Sequence, residues 1–151
     1  MPIDRSYIRV KAMLVAPNAD GTKHLVSVNG KTDENAEGFH RLIGGSVELG
    51  ETHREAVIRE VDEELGARIV DLTFLGMVEN IFRLNGELGH EVVALYRGTL
   101  DPAPGPEGGT LTESDGSVVP VVWRPLDDTE LAVPLYPAAA NEWIHGVGAG
   151  V

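Results

Sequence analysis

The chain has 151 residues, of which 42% are hydrophobic and 24% are charged, and this composition suits one globular domain over residues 1–151 with a proper core. It contains no cysteine, which excludes disulfides, thiolate metal sites and cysteine nucleophiles. The formal charge of −12, without a visible basic patch, disfavours long nucleic acid as a partner.

The first elements expected along the chain are β-strands. Residues 7–16 and 23–28 are strand-like, and the turn formers of "PNADGT" lie between them, so the sequence predicts a β-hairpin there. Short strands are expected around "FHRLIGG". After one strong helix, residues 69–84 and 90–100 form another strand pair, joined by the Gly-containing turn "NGELG".

The last third of the chain begins with a segment rich in proline and glycine. This segment, residues 101–117, is expected to be a mobile flap rather than a packed core element. "VVPVVWRPL" predicts one more strand, and "YPAAANEWIHGV" predicts a short C-terminal helix that ends at Gly146. Strands on both sides of a central helix, with a second helix at the end, indicate an α/β fold whose mixed sheet is covered on both faces.

The central helix is marked at both ends. Thr52 and Glu55 form a capping box, and Gly66 is a natural C-terminal stop, so the helix is expected over residues 53–65. At about 100° per residue, one arc of this helix is apolar and is expected to pack on the sheet. That arc contains Val57, Ile58, Val61 and Leu65.

A neighbouring arc of the helix carries Glu60, Glu63 and Glu64, with only the small Ala56 among them. Most acidic runs on helices are simply solvated surface. These positions are nevertheless unfavourable, because like charges one turn apart repel and the negative end of the helix dipole disfavours them further. A hard divalent cation such as Mg²⁺ takes oxygen ligands and would relieve both effects.

The spacing around these glutamates matches a known signature. From Gly45, five positions lead to Glu51 and seven more lead to Arg59, and the run "REVDEELG" follows directly. This pattern, residues 45–67, resembles the Nudix box at every charged and glycine position. The chain is therefore identified as a member of the Nudix (MutT-like) hydrolases, and the resemblance implies the family's α/β/α sandwich around a central mixed β-sheet.

The resemblance also implies chemistry. Family members use a divalent metal, usually Mg²⁺ with Mn²⁺ as a substitute, to hydrolyse a diphosphate linkage in a nucleoside diphosphate derivative. Carried over residue by residue, Glu60 and Glu64 are expected to be the principal metal ligands, Glu63 a further ligand or water-organising group, and the Gly44 carbonyl a completing ligand. Glu51 and Arg59 resemble the structural ion pair of the box.

Several assignments stay open at this stage. The general base is Glu60 or lies outside the box, where Glu91, Glu107 and Glu113 are candidates. Arg41 and Arg83 are candidates for binding substrate phosphate, with a plain surface role as the alternative, and Glu91 is a third candidate for binding substrate.

The aromatic residues Phe39, Phe82 and Tyr96 are candidates for stacking on a base, although each is more often a core residue. His90 is more often structural than catalytic.

The expected substrate is a small nucleotide, either a nucleoside triphosphate or a nucleoside diphosphate derivative, with ADP-ribose and oxidised deoxyguanosine triphosphate as the first candidates. The alternative is a Nudix-fold module that binds a nucleotide without cutting it, although the box is intact. No apolar run is long enough to span a membrane and the N-terminus lacks the pattern of a signal peptide, so a cytoplasmic protein is expected. A homodimer is compatible with the sequence.

Overall fold

One mixed sheet organises the molecule, and a computed structural model describes residues 7–127 and 133–147 of it. The strands are β1 (Arg9–Val15), β2 (Lys23–Asn29), β3 (Phe39–Ser46), β4 (Arg68–Leu84), β5 (Glu87–Asp101), β6 (Gly109–Thr112), β7 (Val118–Pro125) and β8 (Leu135–Tyr136). The helices are α1 (His53–Leu65) and α2 (Asn141–Val147), and a 3-10 turn over Ala138–Ala140 precedes α2. The strand order is β4-β5-β1-β3-β2-β7-β6, with β8 beside β3.

Both faces of the sheet are covered. β1 runs parallel to β5 and antiparallel to β3, so the sheet is mixed. On one face, Ala56, Val57 and Val61 of α1 pack against buried residues of β1, β3 and β5. On the other face, Ile144 of α2 packs against a second buried cluster. The predicted sandwich is confirmed, and within the described residues neither helix has the length and apolar character needed to cross a bilayer.

The predicted hairpin of the first two strands is wrong. The strands exist, but only an isolated bridge between Pro17 and His24 joins their ends. β3 lies between them, since its first half pairs with β2 and its second half pairs with β1. The turn formers predict the reversal of the chain between β1 and β2 correctly. Which strand each of them pairs with depends on β3, which comes later in the sequence.

The proline- and glycine-rich segment is also more structured than expected. Residues Gly109–Thr112 form β6, which pairs with β7, and Leu111 is buried in the core on the α1 face. The prediction of a segment without packed core residues is therefore wrong. Apart from Gly109, the prolines and glycines of this segment lie on either side of a short edge strand and do not form one continuous loop.

The remaining predicted elements are present. The predicted strand over residues 118–126 is β7, and the C-terminal helix is shorter than expected because Ala138–Ala140 forms a 3-10 turn. β4 and β5 form a long hairpin whose turn contains Asn85 and Gly86, both with positive φ. Two such residues match the right-handed twist of the flanking strands.

Candidate active site

Helix α1 has the bounds that its caps predict. The Glu55 N–H donates to Thr52 Oγ1 (3.1 Å), and the Thr52 N–H donates to Glu55 Oε1 (3.0 Å). At the other end, Gly66 adopts a left-handed conformation and donates its N–H to the Asp62 carbonyl (2.9 Å). These caps satisfy backbone groups that the helix leaves without partners and fix which residues form its last turn.

The rotation of α1 about its axis differs from the prediction. Ile58 is 43% exposed, whereas Ala56 is fully buried together with Val57 and Val61. Ile58 was assigned to the core face, and that assignment is wrong. The buried arc is shifted towards the acidic side, so Glu60 and Glu64 lie within the face that meets the sheet and only Glu63 is exposed.

A glycine pair on β3 makes room for these carboxylates. A Cβ atom added at Gly45 would lie 2.5–2.7 Å from the carboxylate atoms of Glu60. One added at Gly44, where φ is 143°, would lie 2.2 Å from the Ala12 carbonyl oxygen. Neither position can hold a side chain without displacing its neighbours. The small residues that let β3 pair closely with β1 therefore also seat the acidic face of α1.

Arg59 holds the loop before α1 against the helix. Its Nε and Nη2 donate to the two carboxylate oxygens of Glu51 at 2.7 and 3.0 Å. Nη2 also donates to the Ser46 carbonyl, and Nη1 donates to Glu60 (3.1 Å) and Glu63 (3.3 Å). The hydrogen bonds from Arg59 lower the pKa of Glu51 to about 2. This cation therefore bonds Glu51, Glu60 and Glu63 at once.

Glu64 is the most strongly perturbed acid of the group. Its pKa is raised to about 8, first by burial and then by the negative charges of Glu60 and Glu113, while Arg41 and the Gly44 N–H act in the opposite direction. Its Oε1 atom is buried and has no hydrogen-bond partner. Burial, which outweighs the bond from Arg59, also raises the pKa of Glu60. Buried carboxylates that repel each other favour an added cation.

The carboxylate oxygens of these glutamates suit a hard divalent cation, although the side chains do not converge on one metal position. Among the described residues, no three His, Asp or Glu side chains stand together at metal-binding geometry. The reason is visible at Arg59, which holds both Glu60 and Glu63. The free oxygen of Glu64 is the atom that a metal would satisfy, and carboxylate oxygen is the ligand that Mg²⁺ prefers.

A pocket of about 100 Å³ opens over β1, β3, β4 and β5. Ligand sites that bury a whole small molecule usually measure roughly 300–1,000 Å³, so this pocket suits one part of a ligand. Its lining combines four cationic side chains, one carboxylate, two amides and several apolar or aromatic groups. The residues are Arg9, Lys11, Asn35, Phe39, Arg41, Asn80, Phe82, Arg83, Leu84, Glu91 and Tyr136.

The floor of the pocket is a buried polar network around Glu91. One carboxylate oxygen of Glu91 accepts from Arg9 Nη2 (2.7 Å) and lies 3.9 Å from Lys11 Nζ. The other oxygen accepts from Asn80 Nδ2 (3.2 Å). Both oxygens of Glu91 are thus engaged, which leaves this carboxylate poorly placed to accept another proton.

Two of the cations that line this pocket, Lys11 and Arg41, also interact with the box glutamates. The pKa of Lys11 is lowered to about 8, chiefly by burial and next by the charge of Arg41, and the carboxylates of Glu91 and Glu60 act in the opposite direction. Arg41 in turn acts on Glu64. A phosphate bound near these two side chains would therefore lie between the acidic face of α1 and the aromatic part of the pocket.

The other candidate residues are distributed unequally. Glu113, at the end of β6, acts on Glu64, whereas the Glu107 carboxylate is folded against Gly105 in the preceding turn. Arg83 lines the pocket but donates from Nη1 to the Gly86 carbonyl (3.0 Å). His90 Nε2 lies 3.6 Å from Glu79.

Only some of the candidate aromatic residues reach the pocket. Phe39 and Phe82 line it, and Phe39 packs edge-on against Tyr136. Tyr96 is buried instead, where it bonds His53 and packs against Phe74, so it is a core residue.

Sequence reasoning missed Lys11, Arg9 and Asn80. A signal was available in β1, because Arg9 and Lys11 alternate in an otherwise apolar strand and so share one face. Asn80 gives no comparable signal, since its role depends on Glu91, which lies opposite it on β5.

Comparisons with known proteins bear on the family and the fold of this chain. The family model for the NUDIX domain matches residues 8–145. A protein of Mycobacterium tuberculosis (strain CDC 1551 / Oshkosh) that carries the name mutator protein MutT4 is 32% identical over 115 residues, which are 75% of this chain and 44% of that protein. The chain therefore spans less than half the length of this relative.

Solved structures show the same fold. The MutT NUDIX hydrolase from Burkholderia pseudomallei is 26% identical, with a TM-score of 0.63 over 97% of this chain and 99% of that one. The MutT protein from Methanosarcina mazei Go1 is 20% identical, with a TM-score of 0.60 over 94% of each chain. The second likeness bears on the fold alone.

Proposed function

Because the chain belongs to the Nudix hydrolase family, we propose that it hydrolyses the diphosphate linkage of a small nucleotide. The observation that carries the proposal is the buried carboxylate of Glu64, whose Oε1 has no hydrogen-bond partner and whose negative neighbours are Glu60 and Glu113. This acidic group adjoins a pocket that is cationic and aromatic. A negatively charged ligand with a flat ring suits that combination.

The box would hold the divalent metal, with Mg²⁺ as the expected ion and Mn²⁺ as a substitute. Glu60 and Glu64 are the proposed principal ligands, with Glu63 and the Gly44 carbonyl as further ligands. When bound, the ion neutralises phosphate oxygens and lowers the pKa of an attacking water. Glu60 and Glu63 would have to leave Arg59 in part, and Arg59 would keep its two bonds to Glu51.

The pocket would bind the rest of the substrate. Lys11 and Arg41, which line the pocket, are the proposed contacts for the phosphate that is not attacked, and the lining residues Phe39 and Phe82 are the proposed stacking partners of the base. The cations of the pocket would neutralise the negative charge that develops on the leaving phosphate as the bond between phosphorus and the bridging oxygen breaks. Water adds to phosphorus, and the products are a nucleoside monophosphate and either pyrophosphate or a phosphorylated partner.

We assign the general base to Glu113. Glu91 has both oxygens engaged, Glu107 lies against Gly105, and Glu60 is taken up as a proposed principal metal ligand. Glu113 lies close enough to Glu64 to affect its pKa, and it follows a strand that ends beside α1. Its carboxylate would accept one proton from the attacking water.

The substrate class rests on charge and size. A chain with a net charge of −12 repels a long polyanion, whereas a pocket with four cations attracts a short one. ADP-ribose and oxidised deoxyguanosine triphosphate remain the first compounds to test. We place the enzyme in the cytoplasm, where such nucleotides occur, and propose that it works as a homodimer.

A product assay tests the proposal. Purified protein is incubated with Mg²⁺ and a panel of free nucleotides, and the monophosphate and its partner product are both quantified. Glu60→Gln is expected to lower turnover by about a hundredfold or more. The exposed Asp62 lies on another face of α1, so Asp62→Asn is the matched control and is expected to stay within about twofold.

Three outcomes would contradict the proposal. Equal loss in the two variants would show that the rotation of α1 has been misjudged. Nucleotide binding without cleavage would identify a sensing module instead. Cleavage of a short 5′-capped RNA, with every free nucleotide untouched, would overturn the argument from charge.

A further inference from the structure

Strand β4 forms one end of the sheet, and part of its outer edge is regular. Among the residues that the structure describes, its ladder partners all lie on β5, and two irregularities in register fall before Gly76. From Gly76 to Leu84 the pairing with β5 continues without a shift. In the described part of the chain, no backbone hydrogen bond from another element reaches this stretch. A long, regular free edge is a ready template for another strand.

The side chains on one face of this stretch are unusual for a free edge. Met77 is 45% exposed and Ile81 is 61% exposed. By strand alternation Glu79, with a side chain 72% exposed, and the exposed Arg83 belong to the same face, although the long Arg83 side chain also lines the pocket. Proteins usually protect an edge with charges, a proline or a bulge along its length. Here Glu79 and Arg83 stand on either side of Ile81, which is itself exposed.

The order of these residues is complementary to itself. When two copies of one strand pair antiparallel about a central residue, a position two before the centre faces the position two after it. Centred on Ile81, this register places Glu79 opposite Arg83 of the partner subunit, and Arg83 opposite Glu79 of the partner subunit. The two isoleucines meet at the twofold axis. Opposite charges and apolar pairs facing each other across strands both stabilise a sheet.

We propose that two copies of this chain associate through β4, in antiparallel register centred on Ile81, so that one sheet continues through the dimer. The same register places Asn80, on the pocket side of the strand, opposite position 82 of the other copy, and Phe82 opposite position 80. The partner's strand would then support the pocket wall that β4 supplies. This association does not depend on the proposed hydrolysis, and its test does not use activity.

Sedimentation velocity over a range of concentrations tests the association. The wild type is expected to show a reversible monomer–dimer equilibrium. In the proposed register, Glu79→Arg places two positive side chains opposite each other, and Arg83→Glu places two negative side chains opposite each other. Each like-charged pair occurs twice in the dimer, once on either side of the axis. Each single variant is expected to raise the dissociation constant by about tenfold or more.

The double variant E79R/R83E restores opposite charges and is expected to return within about threefold of the wild-type value. Val70→Lys, on the same strand but before the irregularities in register, is the matched control and is expected to have no effect. A wild type that stays monomeric at every concentration would overturn the proposal. A dimer that resists both single variants, or a double variant as weak as the singles, would overturn it as well.

Hydrogen exchange on the wild type gives a second measurement that needs no substitution. Raising the protein concentration through the dissociation constant is expected to slow exchange at alternate amides between residues 77 and 85. Slowed exchange elsewhere, with β4 unchanged, would assign any dimer to another surface and overturn the proposal.

Discussion

Replacement of Glu64 by Gln is expected to stabilise the metal-free protein while removing most of its activity. The pKa of Glu64 is raised from 4.5 to about 8, chiefly because the side chain is buried and next because Glu60 and Glu113 repel its charge. Holding an ionised carboxylate under these conditions costs about 4–5 kcal/mol of folding free energy. A glutamine of similar shape never ionises, so the variant avoids this cost.

The pH dependence follows from the direction of the shift. The unfolded chain releases this proton near pH 4.5, whereas the folded protein keeps it until about pH 8. Between these values the folded state binds more protons, so the wild type loses stability as the pH rises. Below about pH 4.5 the group is protonated in both states and contributes no difference. The advantage of Glu64→Gln should therefore be small at pH 4.5 and reach its full size above pH 8.

Urea unfolding in EDTA at about pH 5 and about pH 8.5 measures this difference. Addition of Mg²⁺ at the higher pH should raise the stability of the wild type but leave Glu64→Gln nearly unchanged, because the variant lacks one ligand charge. Turnover of the variant should fall by about a hundredfold or more. Equal stabilities of the two proteins at pH 8.5 in EDTA would refute the assignment of Glu64 as a strained buried acid.

Two further predictions concern packing around the sheet. Gly45→Ala should lower turnover by about tenfold or more while the circular dichroism spectrum is kept, because the added Cβ would displace the Glu60 carboxylate; Gly30→Ala, which meets no atom within 4 Å, is the silent control. The pKa of buried His24 is lowered to about 4. The folded protein should therefore lose up to about 3 kcal/mol as the pH falls from about 6.5 to about 4, and urea unfolding of His24→Leu should lack that loss.

The sequence predicted the bounds of α1 well and its rotation less well, for one physical reason. Thr52, Glu55 and Gly66 act through bonds within a few residues, so their meaning can be read locally. Which side of the helix meets the sheet depends on the opposing surface. Gly45 of β3 leaves room for the Glu60 carboxylate, so the acidic side of α1 meets the sheet, and Ala56 is buried while Ile58 is 43% exposed.

The site divides in the same way. The placement of the box residues on α1 and the turn before it was predictable, because their spacing lies within one turn-and-helix segment. The pocket was not, because Lys11, Asn80 and Glu91 come together only when β1, β4 and β5 are neighbours. Arg41 and Phe82 were suggested by their residue types, and the sheet topology was needed to bring them to one pocket.

The central position of β1 has a consequence for how the protein acquires its shape. The bond from Arg9 to Glu91 closes a loop of 82 residues, and every pair in the β1–β5 ladder has a similar separation. Closing such a loop costs chain entropy before any contact repays it, and high contact order slows folding. During synthesis the caps of α1 need no later part of the chain, whereas β1 must wait for β5. The ligand pocket is therefore a late product of folding, and a chain stopped before β5 would expose the apolar residues of β1.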